Sequence, residues 1–127
     1  QTGSTCTQPV SLIDVYPSLV DFAGLETPNW LDGTSIKPQL ANPTSPRAAA
    51  ISSYGEGNTS IRTERWRYIR YEDGSEELYD HRVDPDEWTN LAGKPKHAKT
   101  KKRLAQMIPA KQHSGIKVQS WFDKFQK

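Results

Sequence analysis

The sequence predicts an α+β unit: a small antiparallel sheet of about four strands with a helix packed on it from the C-terminal side, preceded by a further helix and an irregular connection. Three observations carry this. Thr59 to Leu91 holds two strand-type runs joined by Asp73-Gly74, a dipeptide suited to the positive φ angles of a hairpin turn. Val10, Ile13, Tyr16, Leu19, Val20 and Ala23 recur at helical spacing, and Pro95 to Met107 reads as a second helix.

In chain order, the first helix spans about residues 10–23, with its apolar stripe read as core and Asp14, Ser18 and Asp21 on the other side. Pro17 removes one backbone bond, so a bend or a true start is expected there, and Gly24 is placed to stop the helix. Residues 26–46 carry four prolines and read as a loop, with a tight turn at Asp32-Gly33 and at most a helical turn near Lys37 to Leu40. Gly55-Glu56-Gly57-Asn58 is a flexible loop into a strand at Thr59 to Thr63; it is either an ordinary turn or a place where backbone approaches a ligand.

Trp66 to Tyr71 and Glu76 to Asp80 form the hairpin. With Asp73 and Gly74 as its two loop residues, Arg70 would face Glu77, Ile69 would face Leu78 and Arg67 would face Asp80. Asp84-Pro85-Asp86-Glu87 has the form of a capped helix start. The last helix has a thin apolar side at Ala98, Leu104, Ala105 and Ile108, and Pro109 ends it. Beyond it, Val118, Trp121, Phe122 and Phe125 make one amphipathic patch.

Composition limits the possible core. Hydrophobic residues are 34% of 127 and mean hydropathy is -0.81, so a missing companion domain or partial disorder is expected. The formal charge of +2 hides a division. From Lys94 onward ten lysines and arginines face Asp123 alone, and residues 1–93 hold the excess of acid. A basic stretch of this kind is either a solvated helix face or an anion-binding surface. Without interleaved aromatics it points away from nucleic acid. Cys6 is the single cysteine and reads as a structural or free thiol, or one paired to another chain. No apolar run is long enough to cross a bilayer. The residues before Pro9 are too polar for a signal peptide, and a first residue other than Met places the start inside a longer polypeptide.

The order Ile61-Arg62-Thr63, Trp66 to Tyr71, Glu76 to Asp80 and Asp84 to Ala92 resembles the C-terminal portion of type I sulfatases, the branch with iduronate-2-sulfatase-like and choline-sulfatase-like enzymes. Pro9 to Leu19 and Leu31 to Ser35 resemble two further stretches of that family, in the same order. The resemblance implies that residues 1–46 close the large α/β catalytic domain, that 47–108 form a C-terminal subdomain, and that 109–127 are a basic, aromatic tail. It places the first strand at Ala48 to Tyr54, against the helix propensity of the alanines. It also implies that Trp30 and the Asp32-Gly33 stretch pack on the catalytic domain.

The activity implied is hydrolysis of sulfate esters, most readily of sulfated carbohydrate. In that family a formylglycine made within C/S-x-P-x-R attacks sulfur while a calcium ion binds the sulfate. Neither that motif nor a paired Asp-Asp stretch occurs in this sequence, so no catalytic residue, metal ligand or cofactor is assigned to the chain, and calcium belongs to the full-length family. Inactivity of the isolated chain follows as an expectation.

The implied role is to shape the substrate cleft, with Tyr54, Glu56, Asn58, Thr59 and Arg62 on the substrate side. Arg62 could hold an oxyanion in its planar fork or simply pair with a nearby acid. Many relatives carry His where this sequence has Thr59, a departure that bears on any sugar-contacting role there. The expected partners are the N-terminal sulfatase domain of the same polypeptide and a sulfated small molecule or glycan, without nucleic acid or membrane. The family implies a secreted, periplasmic or lysosomal setting. The competing reading is a stand-alone anion or polysaccharide binder using the basic Lys94 to Arg103 helix. His81, His97 and His113 lack metal-ligand spacing, and Asp84, Asp86 and Glu87 lack the pattern of a calcium loop.

Overall fold

The structure is a computed structural model that describes residues 3–110. The aromatic patch expected at Val118 to Phe125 lies outside them. A 3₁₀ turn (Leu12–Asp14) leads into α1 (Val15–Phe22), followed by α2 (Lys37–Ala41). Strands β1 (Ala50–Tyr54), β2 (Asn58–Arg62), β3 (Trp66–Arg70) and β4 (Glu76–Asp80) come next, and a 3₁₀ turn (Pro95–His97) leads into α3 (Ala98–Ala105). The four strands lie side by side in chain order, all antiparallel.

Alternation along the strands sends Ile61, Trp66, Tyr68 and Leu78 to one face, where Leu104 of α3 meets them. All five are buried, and Ala105, Met107 and Ile108 pack at the edge. A polar strut fixes the helix to the sheet. The Tyr68 hydroxyl donates to Glu76 Oε1 at 2.6 Å, and Lys101 Nζ donates to Oε2 at 2.6 Å. The Lys101 ammonium and the Tyr68 hydroxyl hold the Glu76 carboxyl below its usual range. Beside β4, the Leu91 N–H donates to the Leu78 carbonyl at 2.8 Å and the Leu78 N–H to Asn90 Oδ1 at 3.1 Å, which covers one sheet edge.

Four sequence expectations change. The β3–β4 register is one residue away from the expected one: Arg70 pairs with Glu76, Tyr68 with Leu78 and Trp66 with Asp80. The loop has three residues, not two. The Gly74 N–H reaches the Tyr71 carbonyl at 3.0 Å, the Tyr71 N–H reaches that of Ser75 at 3.0 Å, and Gly74 takes φ +82°, the turn-plus-bulge form of hairpin. Asp73 Oδ1 accepts from the Ser75 N–H and hydroxyl, which fixes that form.

Asp84 starts a turn rather than a helix. Its carboxylate accepts from the N–H groups of Trp88 and Thr89 at 3.0 and 2.8 Å, and Glu87 at φ +61° breaks any continuation.

Third, the apolar stripe of α1 is outside except for Val20, which is buried as expected. Ile13, Tyr16 and Leu19 are more than half exposed, whereas Asp14, Ser18 and Val20 are buried. The polar side packs inward because residues 31–47 supply it with partners: Asp14 accepts from the Thr34 N–H at 2.9 Å and pairs with Arg47 at 2.9 Å, and the Ser18 hydroxyl accepts from the Ile36 N–H at 3.0 Å.

Fourth, Asp32-Gly33 makes no tight turn; the turn is at Pro28 to Leu31. Gly33 instead runs under the helix start, where a Cβ would come within 2.0 Å of the Ile13 carbonyl oxygen.

Candidate functional site

The β1–β2 and β3–β4 turns lie at the same end of the sheet and touch. Gly55 and Gly57 take φ +62° and +80°, and a Cβ on Gly57 would stand 2.9 Å from the Cα of Glu72. The close approach sensed in the glycines is therefore to the neighbouring hairpin. Asn58 bridges the two tips: its Nδ2 donates to the Glu56 carbonyl at 3.1 Å, and its Oδ1 accepts from the Glu72 N–H at 3.2 Å. Tyr54, opposite Asn58 in the register, is 82% exposed. Asn58, Tyr71, Glu72, Asp73 and Ser75 line an open hollow between the tips. The Ser75 hydroxyl and N–H keep the Asp73 carboxyl below its usual range, so the rim is negatively charged at neutral pH.

The five candidates on the substrate side do not form one cluster. Tyr54, Glu56 and Asn58 gather at the tips. Thr59 faces the α3 side at 1% exposure, with its hydroxyl 3.4 Å from that of Ser53, and burial takes it out of the set that reaches solvent. Arg62 is at the far end of β2, about 13 Å along the strand from Asn58, on the face away from α3. Tyr71, Glu72 and Asp73 were not picked out from the sequence. Only the glycine at 57 signalled their closeness.

Around Arg62 a second polar group forms. Arg67 is its register partner and donates to Glu87 Oε2 at 3.1 Å, while Oε1 of the same carboxylate is 2.6 Å from His81 Nε2. Near the β2–β3 turn, Arg65 grips Asp80 with two donors and stacks on Trp66 at 4.6 Å; this grip holds the Asp80 carboxyl low. Among the described residues there is no group of three or more His, Cys, Asp or Glu side chains placed to hold a metal ion. No described helix is long and apolar enough to cross a membrane.

A larger cleft of about 620 Å³ lies between the start of α1, α2 and β1. Its charged wall is the buried Asp14–Arg47 pair. Burial alone would raise Asp14, but the Thr34 and Ser11 N–H groups and Arg47 outweigh it and hold the carboxyl low. Arg47 also donates to the carbonyls of Thr34 and Ser35 and to Gln39. In this cleft the Asp14 and Arg47 charges are matched to each other, and Asp32 also lines it.

The C-terminal model of the N-sulphoglucosamine sulphohydrolase family matches residues 1–114. The chain belongs to this sulfatase family. An N-acetylglucosamine-6-O-sulfatase of Bacteroides thetaiotaomicron is 36% identical over 122 residues, covering 85% of this chain and 22% of that protein. A sulfatase of Formosa agariphila is 32% identical over 108 residues, covering 84% and 21%. A solved structure in complex with its substrate D-glucosamine-2-N,6-O-disulfate superposes with a TM-score of 0.65 at 35% identity, over 75% of this chain and 22% of that one. The sulfatase chain thus spans about a fifth of the length of the curated relatives it matches. Its four-stranded sheet and helix are the sulfatase C-terminal fold.

Proposed function

We propose that this chain is the C-terminal part of a longer, exported sulfatase acting on sulfated carbohydrate, and that its paired hairpin tips form one wall of the substrate cleft. The rest of that polypeptide would supply the formylglycine nucleophile and the calcium. The observation that carries the reading is the locking of the two hairpin tips through Gly57, Asn58 and Glu72, with Tyr54 exposed beside them, in a chain of this family.

The chemistry of the rim sets its role. Carboxylates repel a sulfate and accept hydrogen bonds from hydroxyls. The rim would therefore face the hydroxyl-bearing part of the sugar, with Tyr54 offering a flat apolar surface and the Asn58 amide a donor and acceptor. The sulfate ester would point toward the cations of the catalytic portion.

The test uses the full-length enzyme. Tyr54→Ala and Asn58→Ala should each lower kcat/KM on a 6-O-sulfated glucosamine by roughly tenfold, as expected for losing about 1.4 kcal/mol of contact. Hydrolysis of a small aryl sulfate should change by less than about twofold, since that substrate does not reach the rim. Equal losses on both substrates would remove the rim from recognition.

A further inference from the structure

Two guanidinium nitrogens, Arg62 Nη1 and Arg67 Nε, are buried without a hydrogen-bond partner among the described residues. They belong to adjacent residues on the sheet face away from α3, since Arg62 and Arg67 pair directly across β2 and β3. Like charges placed opposite one another destabilise a sheet, and a buried unpaired charged donor costs more still. The local balance is incomplete. Among the described residues Glu87 is the carboxylate bonded here; one of its oxygens serves Arg67 and the other His81. Arg62 faces Ala50 on its other side, a single methyl group that can accept nothing. Burial and the neighbouring Arg67 push the Arg62 guanidinium below its usual range, with Glu87 only partly opposing them.

We infer that this half of the sheet is an interface that receives an aspartate or glutamate carboxylate, bridging Arg62 and Arg67, from the portion of the polypeptide outside residues 1–127. A carboxylate fits the planar fork and cancels the unmatched charge. The occupant is protein rather than substrate, because Arg62 stands a full strand length from the hairpin rim and because the matched relatives are about five times as long as this chain. The inference rests on the proposal that the chain is one part of such a polypeptide, but its readout does not use sulfatase activity.

In the full-length protein, Arg62→Lys places an amine where a carbodiimide can join it to a carboxylate in contact. Mass spectrometry should find the introduced lysine linked to an Asp or Glu outside residues 1–127. Arg67→Lys is the control and should link to Glu87, 3.1 Å away. Arg62→Ala should lower the melting temperature by about 3 °C or more, with KM for a sulfated sugar changed less than about twofold. A link from position 62 only to Glu87, or none while the control links, would overturn the inference. So would a KM raised about tenfold without a change in melting temperature, which would assign the pair to a substrate anion.

Discussion

Gly33 and Glu76 show how much can hang on one residue. At Gly33 the missing side chain is the point: with the Ile13 carbonyl 2.0 Å from where a Cβ would sit, Gly33→Ala must push the 31–36 segment off the 3₁₀ turn that leads into α1. The cost should be about 1–3 kcal/mol, read as a fall in melting temperature. The sequence marked Gly33 as a turn residue because Asp-Gly is the usual turn signal; close approach of backbone leaves no separate mark. Glu76 belongs to a set of carboxyls, with Asp14 and Asp80, whose folded forms are held below their ordinary values. Such groups stabilise the fold above the unfolded-state value, and that contribution is lost as pH falls through the folded one. Stability should therefore decline as pH drops below about 4, where ordinary carboxyls begin to protonate. Glu76→Gln should flatten the decline in a denaturation series between pH 6 and 2.5; an unchanged slope would show that the strut to Lys101 and Tyr68 carries no linkage.

At the scale of elements, the β3–β4 hairpin shows what pattern reading captures. Asp73-Gly74 placed the turn correctly and the strands followed, yet the register moved by one because the bulged three-residue loop and the two-residue loop share the same dipeptide. What decided between them was burial. The observed register puts Tyr68 beside Leu78 under Leu104, whereas the other would pair Leu78 with Ile69. Gly74→Ala, at φ +82°, should cost about 1 kcal/mol, and Gly74→Asn less, since Asn tolerates the left-handed region better. Thermal unfolding of the two variants should rank them in that order. In α3 the buried anchor is Leu104, and Leu104→Ala should cost about 2–5 kcal/mol. Lys101 is committed to Glu76, so the basic helix has one fewer free cation for an anionic polymer than its sequence counts.

Over the molecule as a whole, the apolar side of α1 was legible as a stripe, but its direction was not. Periodicity says that one face is apolar; it does not say whether the covering surface lies within the same 127 residues. Ile13, Tyr16, Leu19 and Phe22 are each more than half exposed, and Trp30 stacks on Tyr16. A contiguous apolar surface of this kind marks an interaction site. The chain produced alone should bind a hydrophobic dye and self-associate, and Leu19→Glu should reduce both, as followed by fluorescence and light scattering. A monomer that ignores the dye would mean that the stripe is covered from within.

The order of the strands has a further consequence. Because each of the four pairs only with its neighbour in sequence, the sheet can assemble from short-range encounters as soon as α3 has emerged from the ribosome. A chain cut ahead of Arg47 keeps all four strands and α3 and loses only the bonds of Thr7 and Gln8 to Glu64 from its described contacts at the β2–β3 turn, whereas one that stops short of Leu104 leaves Tyr68 and Leu78 open to water.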